Sequence, residues 1–248
     1  IKLGIFGPTG RMGTSLLEES KNFSELEICS LCESLNHEDI GKEIFNIKII
    51  DNLEEFISLS EVIIDFTTPE ATLNLMKKIR NKKDVSLITG TTGFSDDQEK
   101  HFIKLSKNLR ILKSSNMSIG VNLLMACTEF LSSKFEKEVD IEIVEAHHRN
   151  KSDSPSGTAL SIGESIKKGR KQIENNKFIF RSFDFNKKRE KGEIGFSSIR
   201  GGDIIGEHKV FFISEGERIE ICHKAERREI FSRGALKCVK WIVNQRPG

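Results

Sequence analysis

In its first half the chain alternates short apolar runs with stretches of helical spacing. Residues 1–6, 26–33, 46–50, 62–66, 85–89 and 109–113 read as strands, and residues 14–20, 53–59, 70–81 and 95–107 as helices. Val62-Ile-Ile-Asp-Phe66 is apolar on both faces, as strands inside a parallel sheet are. Pro69 falls at the first turn of its helix, where a missing N–H is harmless. Strands alternating with helices predict a doubly wound, parallel, Rossmann-like sheet. Ligands bind such sheets at the carboxyl ends of the strands. Residues 7–13, 33, 67–68, 90–93 and 114–117 all fall at such ends, so one shared crevice is expected.

Near Ser118 the pattern changes. An apolar helix over 123–135 leads to a strand over 139–144 that alternates apolar and polar positions, and a helix covers 159–168. The charged stretch 167–193 reads as a surface loop. Residues 194–199, 206–214 and 217–223 read as strands joined by glycine-containing turns, which predicts a second, α+β domain with a mainly antiparallel sheet. A last helix, about 230–243, carries Ile230, Phe231, Ala235, Leu236, Val239 and Ile242 at helical spacing. It is expected to pack back on the first domain. The expected domains are thus residues 1–118 with 229–248, and residues 119–228.

Chemistry enters at two places. The first is Gly7-Pro-Thr-Gly10-Arg-Met-Gly13, set between a strand and a helix. Glycines at this spacing let the backbone approach a pyrophosphate at the helix N-terminus. Glu33 ends the second strand 20 residues after Gly13, placed to accept hydrogen bonds from an adenine ribose. The second is Glu145-Ala-His-His-Arg-Asn-Lys-Ser-Asp-Ser-Pro-Ser-Gly-Thr-Ala159. It reads as strand end, cationic loop and helix start, with proton donors beside a helix N-terminus that suits an anion. Neighbouring strand-end histidines point different ways, so His147 and His148 take different roles. Zinc binding by Glu145, His147 and His148 lacks suitable ligand geometry, and no metal is expected. His101, His208 and His223 are expected on helix surfaces or in strand packing. Asp153 braces the turn. Met12, Met117 and Met125 read as core.

Composition narrows the class. The 248 residues are 37% hydrophobic and 31% charged, with 39 basic and 37 acidic side chains and a net charge of +2. That balance gives no case for a nucleic-acid or membrane partner. No apolar run approaches the ~20 residues needed to cross a bilayer. A chain that opens in a strand is expected to carry no signal peptide. Five scattered cysteines suggest reduced thiols and a cytoplasmic setting. Cys29 and Cys32 have redox-motif spacing but sit in a strand, where residues three apart face opposite sides. Tyrosine is absent, which excludes the Tyr-x-x-x-Lys chemistry of short-chain dehydrogenases.

The chain resembles the dihydrodipicolinate reductase family. The resemblance rests on Gly7-x-x-Gly-Arg-Met-Gly13, Asp65-Phe-Thr-x-Pro-Glu70, Gly90-Thr-Thr-Gly-Phe94, Asn116-x-Ser-x-Gly-Val-Asn122 and the block from Glu145 to Ala159. Arg200-x-Gly-Asp-Ile-x-Gly-Glu-His208 and His223-Lys-Ala225 continue it, so it spans nearly the whole chain. It implies hydride transfer from NADH or NADPH to a cyclic, imine-containing dicarboxylate, 4-hydroxy-tetrahydrodipicolinate, in lysine and diaminopimelate synthesis. It implies His147 as acid/base and Lys151 as proton donor. His148, Ser156, Gly157, Thr158 and, on a looser alignment, Arg228 are implied substrate binders. Gly7, Pro8, Thr9, Gly10, Arg11, Met12, Glu33, Gly90, Thr91, Thr92, Ser114, Ser115, Asn116 and Met117 are implied cofactor contacts. Residues 119–228 would form the substrate-binding and oligomerisation domain of a homotetramer.

Ser34 follows Glu33 where family members that use NADPH well often carry a basic residue. Glu33 favours a free ribose 2′-hydroxyl, with Arg11 a partial offset, so NADH is expected to serve at least as well as NADPH. The alternatives are a non-catalytic nicotinamide-dinucleotide sensor and a reductase of another small imine or carbonyl acid. A sensor has no need of Lys151 or the Pro-Ser-Gly-Thr turn.

Overall fold

The computed structural model describes the whole chain except residues 81, 83, 172–175 and 181–186. The described residues fall into two compact units, Ile1–Ser118 with Glu229–Gly248, and Ile119–Arg228.

The first unit runs β1 (Lys2–Phe6), α1 (Arg11–Ser20), β2 (Glu27–Cys32), β3 (Glu43–Ile44), β4 (Ile47–Ile50), α2 (Leu53–Ser58), β5 (Val62–Asp65), α3 (Pro69–Ile79), β6 (Ser86–Thr89), α4 (Asp96–Ser106) and β7 (Arg110–Lys113). Its sheet has the order β3-β4-β2-β1-β5-β6-β7. Every pairing is parallel except β3 with β4. Successive strand residues point to opposite faces, which splits β5 between two cores. Val62 and Ile64 join Leu3, Ile5, Leu16 and Leu17 on one face, while Ile63 joins Phe56, Met76 and Leu87 on the other. The end predicted for the third helix, at residue 81, lies outside the described residues.

The second unit runs α5 (Ile119–Ser132), β8 (Asp140–His147), α6 (Gly157–Gly169), β9 (Phe178–Phe180), β10 (Ile194–Arg200), β11 (Gly206–Ser214) and β12 (Glu217–Ala225). Its sheet has the order β12-β11-β8-β10-β9. The expected antiparallel pairing holds β12, β11 and β8 together, while β8, β10 and β9 pair in parallel. The sheet is therefore mixed. Its core joins Ile141, Ile143 and Val210 to Ile162 and Ile166 of α6.

Three expectations are corrected here. Strand β8 continues to His147 instead of stopping at Val144, because residues 145–147 pair with β10, and Glu145 and Ala146 pair with β11 as well. Helix α5 starts at Ile119 and ends at Ser132, earlier at each end than 123–135. The expected loop 167–193 contains the last turn of α6 and the strand β9, which pairs with β10; residues 172–175 and 181–186 of it lie outside the described residues.

The final helix α7 (Glu229–Ile242) belongs to the first unit. Ala235, Leu236, Val239 and Ile242 are buried against the face that holds Leu3 and Ile5. That burial contributes on the order of 5 kcal/mol.

Candidate active site

The first unit gathers its strand-end loops through side chains. Gly7 has a φ of +80°, a left-handed conformation that glycine adopts without strain. A Cβ at Gly13 would lie 2.1 Å from the Gly7 carbonyl oxygen, so only glycine lets α1 start this close to the loop. Helices α2, α3, α4 and α6 are capped by the side chains of Asn52, Thr68, Ser95 and Ser156. At α1 the cap is Gly10, without a side-chain bond, and the first turn holds no acid. Such an end suits an anion, and these features fit the pyrophosphate of a dinucleotide.

Glu33 stands beside this loop. Its Oε1 accepts hydrogen bonds from the Thr9 N–H at 3.1 Å and the Thr9 hydroxyl at 2.7 Å. Across the sheet, the buried Asp65 ties the next loops together. Its Oδ1 accepts from the Thr67 N–H at 3.0 Å and hydroxyl at 2.6 Å. Its Oδ2 accepts from the hydroxyls of Thr72 at 2.5 Å, Thr89 at 2.9 Å and Thr91 at 3.2 Å. Ser114 joins β6 through its N–H on the Thr89 carbonyl at 3.1 Å, and its hydroxyl donates to the Asn116 carbonyl at 2.7 Å. The loops at 67–68, 90–92 and 114–117 are thus tied together, and the 7–12 loop lies beside them, since a Cβ at Gly7 would come within 2.8 Å of Thr67 Cγ2. Among the expected cofactor contacts, Gly10, Arg11 and Thr92 are exposed, while Pro8 and Thr91 are buried. Met117 sends its side chain into the core.

The second unit builds a polar cluster where β8, β10 and β11 meet the start of α6. Glu145 and His147 lie two apart on β8, so they share a face. In the sheet register His208 stands opposite Glu145, and Arg200 opposite His147. Glu145 is 1% exposed. Its carboxylate accepts from Arg200 Nη1 at 2.8 Å and Nη2 at 2.6 Å, and from the Ser156 N–H at 3.2 Å. His147 Nδ1 lies 2.5 Å from Glu145 Oε2. Burial pushes the Glu145 carboxyl up, but hydrogen bonds from His147, Arg200 and Ser198 outweigh it and hold the pKa well below the usual carboxylate range. The ionised Glu145 therefore accepts a hydrogen bond from the Nδ1–H of His147, leaving Nε2 for chemistry. Nε2 lies 3.1 Å from where a Cβ on Gly206 would sit, so glycine keeps the ring uncrowded.

His208 packs edge-on against His147, with ring centroids 5.2 Å apart, and its Nε2 bonds the Ser156 hydroxyl at 3.2 Å. Burial, reinforced by the charge of His147, lowers its pKa to about 4. It stays neutral at pH 7. Lys151 lies one turn on. Its N–H bonds the His148 carbonyl at 3.1 Å, and its Nζ pairs with Asp153 at 2.8 Å. His148 is half-buried and Gly157 is exposed at the first position of α6.

The structure brings Glu145, His147, Ser156, Arg200 and His208 into one network. Ser156 differs from expectation. It is 2% exposed, and its N–H and hydroxyl are both used inside the cluster, so it braces the loop. Arg228 is exposed beyond the end of β12 and, among the described residues, makes no hydrogen bond or ion pair with this group. His208 was assigned to strand packing and belongs instead to the cluster. Glu145 and Arg200 carried no assigned role. Both stand within motifs that carry the resemblance, and the i, i+2 spacing of Glu145 and His147 becomes informative once β8 is seen to reach His147.

The model of the dihydrodipicolinate reductase N-terminus matches residues 1–117, and that of its C-terminus matches residues 120–248. A 4-hydroxy-tetrahydrodipicolinate reductase of Pelagibacter ubique is 42% identical, over 100% of this chain and 95% of that one. One from Buchnera aphidicola subsp. Baizongia pistaciae is 39% identical, over 99% of this chain and 93% of its own. The fold matches that of a dipicolinate-bound dihydrodipicolinate reductase from Paenisporosarcina sp. TG-14. The TM-score is 0.81 at 24% identity, covering 100% of this chain and 96% of that one. With family models matched over residues 1–117 and 120–248 and relatives this similar over nearly their full length, the chain belongs to the dihydrodipicolinate reductase family.

Proposed function

We propose that this protein reduces 4-hydroxy-tetrahydrodipicolinate to tetrahydrodipicolinate at the expense of NADH or NADPH, in the synthesis of diaminopimelate and lysine. The observation that carries the reading is the buried Glu145–His147 pair, clamped by Arg200 at the N-terminus of α6, in a chain of this family. The dinucleotide, when bound, supplies the hydride. Its pyrophosphate is assigned to the start of α1 and its adenine ribose to Glu33, with the loops at 90–92 and 114–117 completing the site.

A dicarboxylate needs fixed positive charge and N–H donors. His148, Lys151 and the first turn of α6 at Gly157 and Thr158 are assigned to that task, with Arg228 a further cation. Reduction of a conjugated imine leaves an electron-rich atom that must take a proton. Lys151 is assigned as its donor and His147 as the acid/base that tunes and replenishes it. Glu145 keeps the His147 ring in one tautomer and orientation, and Arg200 keeps Glu145 ionised.

We assign NADH as at least as good a donor as NADPH. Glu33 lies at the ribose end, and Ser34 supplies no cation for a 2′-phosphate. Localisation in the cytoplasm and assembly as a homotetramer complete the proposal. Among the described residues no helix is long and apolar enough to cross a membrane. The test is oxidation of NADH and NADPH with freshly generated 4-hydroxy-tetrahydrodipicolinate. Rapid, substrate-dependent oxidation is expected with NADH. No oxidation by folded protein that still binds dinucleotide would overturn the activity, and a much lower KM for NADPH would overturn the preference.

A further inference from the structure

We propose that Thr9 is a specificity-determining residue, which latches Glu33 across the ribose end of the dinucleotide site so that a 2′-phosphate is refused. The inference rests on the assignment of Glu33 to the adenine ribose.

A glutamate at a strand end has three side-chain torsions and can swing away from an approaching anion. Glu33 is held on both oxygens. Thr9 donates twice to Oε1, by its hydroxyl at 2.7 Å and its N–H at 3.1 Å, and the Ser34 N–H reaches Oε2 at 3.3 Å. Hydrogen bonds to a carboxylate are the stronger kind, so turning the group away means breaking them. The remaining lone pairs stay available to a neutral hydroxyl donor, whereas a phosphate offers no proton and meets fixed negative charge. The surroundings add to this. A cavity of about 530 Å³ beside Glu33 is lined by Asp51 and Glu70 as well, against the single cation Lys77. A 2′-phosphate entering it faces three carboxylates and one ammonium. Thr9 also spends its own N–H on Glu33, which leaves the pyrophosphate to the later amides of the turn.

Thr9 acts through Glu33 and is a positioning residue. The test is calorimetric titration of NADH and NADPH into the wild type, Thr9→Val, Thr9→Ser and Glu33→Gln. The readout is the ratio of the two dissociation constants, which a general weakening of the loop leaves unmoved. Thr9→Val is expected to shift the ratio toward NADPH by about fivefold, the scale of one charge-assisted hydrogen bond at a partly exposed site. Thr9→Ser should restore the wild-type ratio. In the Glu33→Gln background Thr9→Val should no longer move it. A ratio unchanged in Thr9→Val, or equally shifted with Glu33 replaced, overturns the latch. If Thr9→Val binds neither dinucleotide, Thr9→Ala decides by the same criterion, since it removes the hydroxyl without adding a branch. A wild-type ratio that favours NADPH overturns the NADH preference alone, because the latch is judged by the change between variants.

Discussion

Arg200 grips both carboxylate oxygens of Glu145, with Nη1 on Oε2 at 2.8 Å and Nη2 on Oε1 at 2.6 Å. Glu145 is buried and Arg200 half-buried, and removing one partner from such a pair leaves an uncompensated charge that costs about 3 kcal/mol. Glu145→Gln should therefore lower stability at pH 7 by that amount. It should also lower kcat by about 100-fold, because His147 Nδ1 then faces a neutral amide, whose single oxygen Arg200 also claims, in place of a carboxylate. The sign with pH follows from the lowered pKa. The folded Glu145 stays ionised below its ordinary value of 4.5, so its contribution is complete above that pH and is lost as pH falls further. Urea midpoints of the wild type and the variant should converge below pH 4. Curves that stay parallel would show that Glu145 is not the group responsible.

His208 acts in the same direction over a different range. The folded ring refuses a proton until about pH 4, whereas the unfolded ring accepts one at 6.5. The stability tied to it is complete above 6.5 and drains away as pH falls toward 4. Between pH 7.5 and pH 5 the loss is about 2 kcal/mol. Chemical denaturation of His208→Gln should show a smaller loss than the wild type by that amount. An identical loss in both proteins would assign the titration elsewhere.

Lys151→Ala tests the proton donor. Turnover should fall by about 100-fold or more, the range of general acid catalysis. The NADH dissociation constant should stay unchanged, since Lys151 lies outside the first unit. Near-normal kcat with saturating substrate would remove Lys151 from the mechanism.

Asp65→Asn tests the hub under the dinucleotide loops. An amide offers one acceptor oxygen where the carboxylate serves the donors of Thr67, Thr72, Thr89 and Thr91. A loss of about 2 kcal/mol in stability is expected. Weaker NADH binding by titration should accompany it. Unchanged affinity would mean that the loops keep their shape without the hub.

Gly234 in α7 approaches the Met117 carbonyl so closely that a Cβ there would lie 1.8 Å from the oxygen. Gly234→Ala must displace the backbone at 117, at the end of an expected cofactor loop. A loss of about 2 kcal/mol, the usual scale of overpacking, should appear in thermal denaturation. NADH titration should show weaker binding. An unaltered Tm would show that the carbonyl gives way freely.

The repeating strands and helices of the first unit were legible because each is long enough to show its period. Strand β4 was read, but β3 and the hairpin that joins the two were not. The hairpin turn uses Phe45 at φ 55° and Asn46 at φ 62°, and a phenylalanine in the left-handed region gives no turn signal. The polar cluster was half legible. His147 and Lys151 stand close in sequence, within one block. Arg200 and His208 join them only through register, one strand away on each side of β8. Register depends on which strands become neighbours, and local pattern does not state that. The reach of β8 was hidden for a related reason. Glu145, His147 and His148 look like a loop by polarity, yet sheet pairing on both sides gives the backbone its partners.

Because α7 closes the core around Leu3 and Ile5, the two pieces of the first unit are separated by the whole of residues 119–228. On the ribosome this sets an order of events. The second unit emerges as one uninterrupted stretch and can finish folding while synthesis continues. Residues 1–118 must wait, with the face that holds Leu3 and Ile5 covered only in part by Leu16 and Leu17 of α1, until α7 leaves the exit tunnel. A nascent chain stalled after Arg228 should therefore hold a completed second unit and an unfinished first one, which makes the emergence of residues 229–248 the step that completes the core around Leu3 and Ile5.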